Sequence, residues 1–477
     1  LAHALSAPGA CALFGLPGSG RAMVYAALAK ETGRFLCIVT PGEAEATRFA
    51  GDLNALGIPT AVFPARDYVL RPIEGTAREY EYRRLSVLGD IVGGRLQAVC
   101  VPDEGLTQYT TPRAEFCNNT RTLHPGDTVP RTELTALLYN AGYARRAQVD
   151  GPGQFSIRGD IVDLYAPDMK LPVRMEFWGD EIDTMHTFDL ATQRREDPIE
   201  KIYVSPAREV LFGSPAEAAE LLRAFIKKFR GKKRTALEAC LATELAQLDG
   251  GALPVNMDKY LAVRYPQPAT LLDYFDDPLL VLEEPASLRE AERATTYRRG
   301  EEISALLQDG VLAAGLDNLY AENGYLWAQA ANHCTICAEN FARSMPDIPL
   351  KDIVNAPAHT LPAWGGEVTS LLEDLQPLCN GGAAVTVLAG TQRAAAGLAA
   401  DLRTKGLLVT TDPDAAPGAG LVQVLPGQLS AGCSVPFAKY ALFTARAFGI
   451  SSTQKKKKRN KDALNSLSEI AVGDLVV

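Results

Sequence analysis

The stretch Gly15-Leu16-Pro17-Gly18-Ser19-Gly20-Arg21-Ala22 decides how this chain begins to fold. An apolar run at 10–14 precedes it and predicts a strand, and a helical pattern follows from Ala22. A strand, a glycine-rich turn with the spacing G-x-x-x-x-G and a helix, in this order, are typical of a loop that binds nucleotide phosphates. The stretch therefore predicts the first unit of a parallel α/β sheet.

The two positions that would handle the nucleotide carry other residues. Arg21 stands where such loops have lysine, and Ala22 stands where they have serine or threonine. An alanine offers no oxygen to Mg²⁺, and phosphoryl transfer depends on that metal. Two interpretations stay open: a site for ATP, or a turn at Gly15 and Gly20 that only joins strand to helix. The substitutions favour the turn, and Glu283-Glu284 is the nearest candidate for a downstream acidic motif.

Composition limits the possible classes of function. The chain has 477 residues, 47% of them hydrophobic and 22% charged, which is typical of folded domains. Its formal net charge of −9 argues against a protein that coats nucleic acid. Nine scattered cysteines, several of them in apolar runs, favour reduced thiols in a cytoplasmic protein over a disulfide framework.

The texture of the sequence divides the chain into segments. Strands alternate with helices at 1–112, strands dominate at 113–205, helices return at 206–345, and a further α/β pattern occupies 346–452. Among the helical signals of 206–345 we predict two strands, at 270–274 and 279–282. The run of like charges that includes Lys455-Lys456-Lys457-Lys458 predicts a solvated linker at 453–466. The pattern at 467–477 predicts the first strand of a small β-domain. We expect a multidomain α/β protein whose parallel-sheet domain is interrupted by a smaller, strand-rich α+β domain.

Cys334 and Cys337 form a single C-x-x-C pair. A structural zinc site needs four ligands at matched spacing, and no second pair of this kind occurs. We therefore predict two thiols buried in a helix and no metal. The sequence offers no catalytic constellation.

The strand at 173–178 carries the most distinctive surface. Alternation places Val173, Met175 and Phe177 on a core face and the intervening Arg174, Glu176 and Trp178 on the other. An exposed tryptophan about 13 Å from an arginine, at about 3.3 Å per residue, is typical of a protein-binding hot spot. The alternative is that Trp178 lies beneath a loop while Arg174 pairs with Glu176 or Asp180. Periodicity alone does not separate the two.

This region resembles the UvrB family of nucleotide excision repair and, more closely, the transcription-repair coupling factors of the Mfd family. The resemblance is carried by Phe155-x-x-Arg158-Gly159-Asp160-Ile161-Val162-Asp163-Leu164, Pro172-x-Arg174-x-Glu176-Phe177-x-Gly179-Asp180-Glu181-Ile182, Thr187-Phe188-Asp189 and Thr192-Gln193-Arg194. The changed phosphate loop, Leu429-Ser430-Ala431-Gly432 with Phe448-Gly449, and the basic run before Leu467 favour the coupling factors. The resemblance covers nearly the whole chain.

The resemblance implies a fold and a function. The fold would be a UvrB-like domain with a degenerate P-loop (1–112 and 206–345), an inserted UvrA-binding domain (113–205), a third α/β domain (346–452) and the start of a domain that contacts RNA polymerase (467–477). The function would be recruitment of UvrA to lesions where RNA polymerase has stalled. UvrA would be bound through Arg158, Arg174 and Trp178, the last of which is more often Phe in the family.

The same resemblance implies what this chain would lack. The DNA translocase that displaces the polymerase, with its ATP, Mg²⁺ and grip on DNA, would lie beyond Val477, so this part would have no cofactor and no catalysis. Two alternatives stay open: an ATP-binding damage-recognition subunit like UvrB, and a DNA-binding module. For the DNA-binding module we expect a basic patch only at 455–461.

Overall fold

The computed structural model describes residues 5, 7–71, 78–345 and 348–445, and within them the strands form four sheets. The predicted linker at 453–466, the predicted strand at 467–477 and Phe448-Gly449 lie outside the described residues. The elements that precede the inserted sheet are β1 (Gly9–Phe14), α1 (Gly18–Thr32), β2 (Leu36–Thr40), α2 (Glu43–Ala55), β3 (Thr60–Val62), α3 (Glu79–Val92), β4 (Ala98–Pro102), α4 (Asp103–Thr107) and α5 (Arg113–Asn118).

The inserted region is rich in strands and contains one longer helix, as its sequence pattern predicts. Its elements are β5 (Arg121–Leu123), α6 (Arg131–Asn140), β6 (Ala144–Arg145), β7 (Gln154–Arg158), β8 (Ile161–Tyr165), β9 (Val173–Trp178), β10 (Glu181–Phe188), β11 (Arg195–Pro198) and β12 (Ile202–Val204).

After the insert the chain returns to mixed structure and then forms a third unit. The returning elements are α7 (Pro215–Lys227), α8 (Gly231–Asp249), α9 (Leu261–Arg264), β13 (Leu279–Glu283), α10 (Pro285–Gln308), α11 (Tyr325–Asn332), β14 (Cys334–Glu339) and β15 (Leu350–Asn355). The third unit contains β16 (His359–Leu361), α12 (Val368–Asn380), β17 (Ala384–Leu388), α13 (Gln392–Thr404), β18 (Leu408–Thr410), β19 (Leu421–Leu425), β20 (Gly432–Val435) and β21 (Tyr440–Thr444). Among the described helices, not one has both the length and the apolar character of a membrane span.

The first sheet has seven strands in the order β15-β1-β14-β13-β2-β4-β3, and all of its pairings are parallel. It combines strands from before and after the insert, so two stretches of sequence build one domain. Its central strands are buried on both faces, which explains why their sequences read as continuous apolar runs. Pairing of β15 with β1 carries this sheet past residue 345, where the sequence texture placed the end of the domain.

The inserted sheet has six strands in the order β11-β10-β9-β8-β7-β6, and the pairings among β7, β8, β9, β10 and β11 are antiparallel. One face packs against α6 through apolar side chains such as Leu134, Leu138, Phe155 and Met175. The other face carries polar side chains. Strands β5 and β12 pair with each other where the chain enters and leaves the insert.

The third sheet, in the order β16-β20-β21-β17-β19-β18, packs beside the first domain. Leu429 and Leu442 form an apolar cluster with Met23 and Leu56 of the first domain. The buried carboxylate of Asp52, on α2, accepts hydrogen bonds from the backbone N–H and the hydroxyl of Ser430, both at 2.6 Å. The predicted α/β class with an inserted strand-rich domain is confirmed.

Two local predictions were wrong. The segment predicted as a strand at 270–274 forms a 3₁₀ turn, Leu271–Tyr274, because Thr270 and Asp273 cap it reciprocally. The C-x-x-C pair was predicted in a helix but lies on strand β14. Since side chains alternate along a strand, Cys334 and Cys337 point to opposite faces of the sheet and pack into different apolar clusters.

Candidate functional site

Strand β9 separates an apolar face from a polar face with strict alternation. Val173, Met175 and Phe177 are buried in the core of the insert, and the side chains between them face outward. This is the arrangement that the sequence predicts. The exposed fraction rises along the outer row and reaches 83% at Trp178, the last residue of the strand.

A fully buried carboxylate organises the arginines of this polar face. Asp163, on β8, accepts hydrogen bonds from Arg174 at 2.7 and 2.9 Å and from Arg158 at 2.6 Å. Asp163 is the cross-strand partner of Arg174, so the register of β8 and β9 brings the two side chains together. The hydrogen bonds to Asp163 raise the pKa of the Arg174 guanidinium above its ordinary value, so this arginine stays charged.

Arg174 is held from a second side as well. Its guanidinium lies 4.7 Å from the centre of the Phe188 ring and donates to the backbone carbonyl of Gln193 at 3.2 Å. Gln193 has a left-handed backbone, with φ of 59°, in the turn that follows β10. Arg174 thus ties β9 to that turn, and only 12% of its side chain remains exposed.

Arg158 and Trp178 remain open to solvent. The side chain of Arg158 is 46% exposed, although one end of its guanidinium is bound to Asp163. Trp178 pairs across the strands with Glu181, next to the turn of the β9–β10 hairpin. The alternative in which Trp178 lies beneath a loop is therefore wrong, as is the pairing of Arg174 with Glu176 or Asp180. The carboxylate of Glu176 contacts Arg195 of β11 instead.

The phosphate loop folds as its frame predicts, but the Arg21 side chain points into the protein. Arg21 lies in the first turns of α1, and its guanidinium forms ion pairs with Glu283 at 2.7 Å and with Glu284 at 2.9 Å. It also donates to the carbonyl of Ala338 at 3.2 Å. The sheet is parallel and only β14 separates β1 from β13, so the end of β13 lies at the same edge as the loop that follows β1.

Glu283 is the centre of this second cluster. It ends β13, its side chain is fully buried, and it accepts a hydrogen bond of 2.5 Å from the hydroxyl of Tyr25. Burial raises its pKa to about 7, and the positive charge of Arg21 opposes that rise. Glu284 has a left-handed backbone, with φ of 51°, which turns the chain from β13 into α10.

The other loop positions are also packed. Gly20 lies against Leu16 and Pro17, and Ala22 is fully buried in the core beneath α1. Gly15 has φ of 87°, which only glycine adopts readily, and the backbone at Ala356 lies 3.1 Å from where its Cβ would be. Arg48 lies across the start of α1, since a Cβ on Gly18 would be 2.1 Å from its guanidinium. The loop is therefore lined by its own side chains, by the backbone at Ala356 and by Arg48.

Comparison with known proteins gives matches to the inserted region and to nearly the whole chain. A sequence profile of the UvrB interaction domain matches residues 122–210. A transcription-repair-coupling factor of Bacillus subtilis is 26% identical over 98% of this chain and 41% of its own length. Those of Staphylococcus haemolyticus and Staphylococcus aureus (strain MRSA252) are each 24% identical over 97% of this chain and 40% of their own length.

The resemblance to the N-terminal, UvrB-like region of transcription-repair-coupling factors is thereby confirmed. The chain spans about 40% of the length of the curated relatives it matches. The matched UvrB interaction domain contains the whole polar face of the inserted sheet, including Arg158, Arg174 and Trp178.

From the sequence, no organising role was assigned to the two carboxylates at the centre of these clusters, Asp163 and Glu283. Asp163 is a charged residue inside the otherwise apolar strand Ile161–Tyr165, and this was a usable signal because a buried charge needs a partner. Glu283 was noted only as a possible acidic motif without a partner, and the structure supplies the partner as Arg21.

Proposed function

We propose that this chain is a protein-binding module that recruits UvrA to lesions where RNA polymerase has stalled, with no catalytic activity of its own. Its relatives are named for coupling transcription to repair, and its insert matches the UvrB interaction domain. The observation that carries the proposal is the exposure of Trp178 on the polar face of that insert. A large aromatic side chain left in water on the same sheet face as a partly exposed arginine is typical of a binding hot spot.

The three predicted contact residues have different parts in this proposal. Trp178 is the apolar anchor that would enter a pocket on UvrA. Arg158 presents a charge within the same polar face, with about half of its side chain free of the protein. Arg174 is mostly covered, so its main part is to hold Asp163, which in turn fixes the direction of Arg158.

The state of the phosphate loop supports the absence of catalysis. In a working loop the cation of the motif reaches the phosphates, whereas Arg21 is engaged by Glu283 and Glu284. Ala22 lacks the oxygen that Mg²⁺ requires. Isothermal titration calorimetry with ATP and Mg²⁺ should therefore show no binding at millimolar nucleotide. Measurable affinity for ATP would favour the alternative, a UvrB-type ATP-binding subunit.

We infer the remaining partners from the full-length relatives. The ATP-dependent DNA translocase, with its ATP and Mg²⁺, would lie in the part of those proteins that this chain does not match, and that part would bind DNA. RNA polymerase would be contacted by the domain whose first strand we place near Leu467, outside the described residues. A cytoplasmic location, with the cysteines reduced, stays a prediction.

Binding to purified UvrA tests the surface. We expect Trp178→Ala and Arg158→Ala each to weaken the complex more than tenfold, or about 1.4 kcal/mol, in biolayer interferometry. Tyr297→Ala is the matched control, because Tyr297 is 73% exposed but lies on α10, outside the insert. All three variants should keep the circular dichroism spectrum of the wild type.

Two results would count against the proposal in different ways. If Trp178→Ala and Arg158→Ala bind UvrA within twofold of the wild type, the assigned surface is wrong. If the wild-type chain itself does not bind UvrA, the recruitment function is wrong.

A further inference from the structure

A second exposed surface, unrelated to the inserted sheet, lies at the turn between α7 and α8. Six of the eight residues at 227–234 are basic, and none is acidic. We call this set the basic turn, and its members are Lys227, Lys228, Arg230, Lys232, Lys233 and Arg234. All six side chains are exposed, so the expectation of a basic patch only at 455–461 was wrong. The chain as a whole has a formal charge of −9, so this is a local concentration of positive charge on an acidic protein.

Little of this charge is neutralised within the protein. Among the described residues, the ion pair found for the basic turn joins Arg234 to Glu238 at 2.8 Å. The ammonium of Lys228 lies 5.9 Å from the ring of Phe225. The charges therefore face solvent and repel one another.

The position of these cations makes the repulsion worse. Lys232, Lys233 and Arg234 occupy the first turn and a half of α8, where the helix dipole is positive and no acidic residue is present. Acidic side chains would stabilise this end of the helix. Basic residues work against the helix they belong to, and an anion bound at this end would relieve the repulsion.

The turn is also held firmly. The two helices pack through Leu222, Ile226, Leu237 and Leu241, which are buried in one cluster. Beneath the turn, Phe229 lies so near Gly315 that a Cβ there would be 2.7 Å from its ring. The cations are therefore presented from a packed helical hairpin.

We propose that the basic turn binds the phosphate backbone of duplex DNA without reading its sequence. Duplex DNA carries one negative charge per about 1.7 Å of its axis, which a compact group of cations can contact at several points. Lysine acts on phosphate as a point charge, and contacts to phosphate carry no sequence information. Phe229, the apolar side chain within the turn, packs against the buried cluster of the two helices, so the turn lacks the exposed aromatic anchor expected for a protein partner.

This proposal does not depend on UvrA recruitment. The basic turn belongs to the part of the chain that follows the insert, whereas Arg158 and Trp178 lie on the insert. At about 0.1 M salt the Debye length is about 10 Å, so the negative charge elsewhere on the chain is largely screened from the turn.

Fluorescence anisotropy with a labelled 30-base-pair duplex tests the proposal. The patch variant is Lys227→Glu, Lys232→Glu and Lys233→Glu, and the matched control is Lys170→Glu, Lys201→Glu and Lys405→Glu, at exposed lysines elsewhere. Both change the net charge equally. We expect the patch variant to lose at least tenfold in affinity and its slope of log affinity against log salt to become shallower by about 3, since each phosphate contact contributes about 0.9. The control should stay within threefold of the wild type.

A third variant tests whether DNA affinity comes from the basic turn or from the lysine run at 455–458. Changing Lys455, Lys456, Lys457 and Lys458 to Gln should leave DNA affinity within threefold of the wild type. The proposal is overturned if the wild type fails to bind the duplex at 50 mM salt, or if the patch variant binds as the wild type does. It is also overturned if only the Lys455–458 variant loses affinity.

UvrA binding and circular dichroism complete the test. The patch variant should bind UvrA as the wild type does and keep its circular dichroism spectrum, so failure of this proposal is distinct from failure of recruitment. If three glutamates disturb the fold, the same three positions changed to Gln give a milder variant. That variant should still lose severalfold in DNA affinity, and unchanged affinity in it would overturn the proposal.

Discussion

Arg21 in the phosphate loop and Arg158 on the inserted sheet are both held by a buried carboxylate, yet only Arg158 keeps its charge at the surface. The Arg21 side chain is 4% exposed against Glu283, and the Arg158 side chain is 46% exposed against Asp163. The same pair of chemical groups closes one site and presents a charge at the other. The presence of an arginine in a motif therefore does not decide whether it can meet a ligand.

The architecture around each carboxylate accounts for the difference. Glu283 ends a strand of a parallel sheet whose two faces are both covered, so any side chain that reaches it leaves solvent. Asp163 lies on an antiparallel sheet that packs on one face only, and an arginine that reaches it from the open face stays partly in water. Arg158 therefore stays about half exposed, whereas Arg174, which reaches the same carboxylate, is covered by Phe188 and by the turn at Gln193.

The largest expected effect is the loss of stability when Asp163, the carboxylate that binds Arg158 and Arg174, is removed. We expect Asp163→Ala to lower the free energy of unfolding by about 3 kcal/mol, because it leaves the mostly covered Arg174 guanidinium without its anion. Urea denaturation followed by circular dichroism measures the change.

The exposed carboxylate of Asp160 is the matched control for that experiment. Its pair with Arg131 is open to solvent, so Asp160→Ala should cost less than about 1 kcal/mol. Equal costs for the two variants would mean that Asp163 is not the organising group of the polar face.

The next largest effect concerns the buried pair of Arg21 and Glu283 and the dependence of stability on pH. Burial raises the pKa of Glu283 to about 7 from an ordinary 4.5, so the folded protein keeps a proton there that the unfolded chain loses. The contribution of this group to stability is complete below about pH 4.5 and is lost as the pH rises through 7. Relative to Glu283→Gln, the wild type should lose about 2 kcal/mol of stability between pH 5 and pH 8.

Urea denaturation of both proteins across that pH range is the measurement. The difference between them should decrease steadily as the pH rises. If the two curves of stability against pH are parallel, Glu283 has the same pKa in the folded and unfolded protein. Burial would then not distinguish Glu283 from the carboxylate of the inserted sheet.

Local pattern predicted much of this molecule. The apolar runs and glycine stops of the first domain predicted its strands and helices, and period-two alternation predicted which side chains of β9 face outward. Both are short-range properties, because each depends on residues within one element. The prediction at 270–274 failed although a short-range signal was present, since Thr270 and Asp273 have the spacing of a capping box.

Contacts between distant segments were beyond that kind of reasoning. Arg21 meets Glu283 because β1 and β13 end at the same edge of a parallel sheet with only β14 between them, and the order of strands in a sheet is not written in any one of them. The partners predicted for Arg174 were its neighbours in sequence, whereas its partner Asp163 comes from the adjacent strand in a fixed register. Cys334 and Cys337 were misplaced because a short apolar run fits a strand and a buried helix equally well.

The smallest expected effect concerns Trp178 on the polar face of the inserted sheet. Trp178 is 83% exposed, so Trp178→Phe should change the free energy of unfolding by less than about 0.5 kcal/mol. Phenylalanine keeps an aromatic anchor but presents less surface, and we expect UvrA affinity to fall by only twofold to fivefold, or about 0.4 to 1 kcal/mol. Biolayer interferometry with UvrA measures the affinities of the wild type, Trp178→Phe and Trp178→Ala, which we expect to fall in that order. A Phe variant as weak as the Ala variant would mean that the indole N–H, rather than the apolar ring, makes the decisive contact, and Trp178 would then be a polar contact residue instead of an apolar anchor.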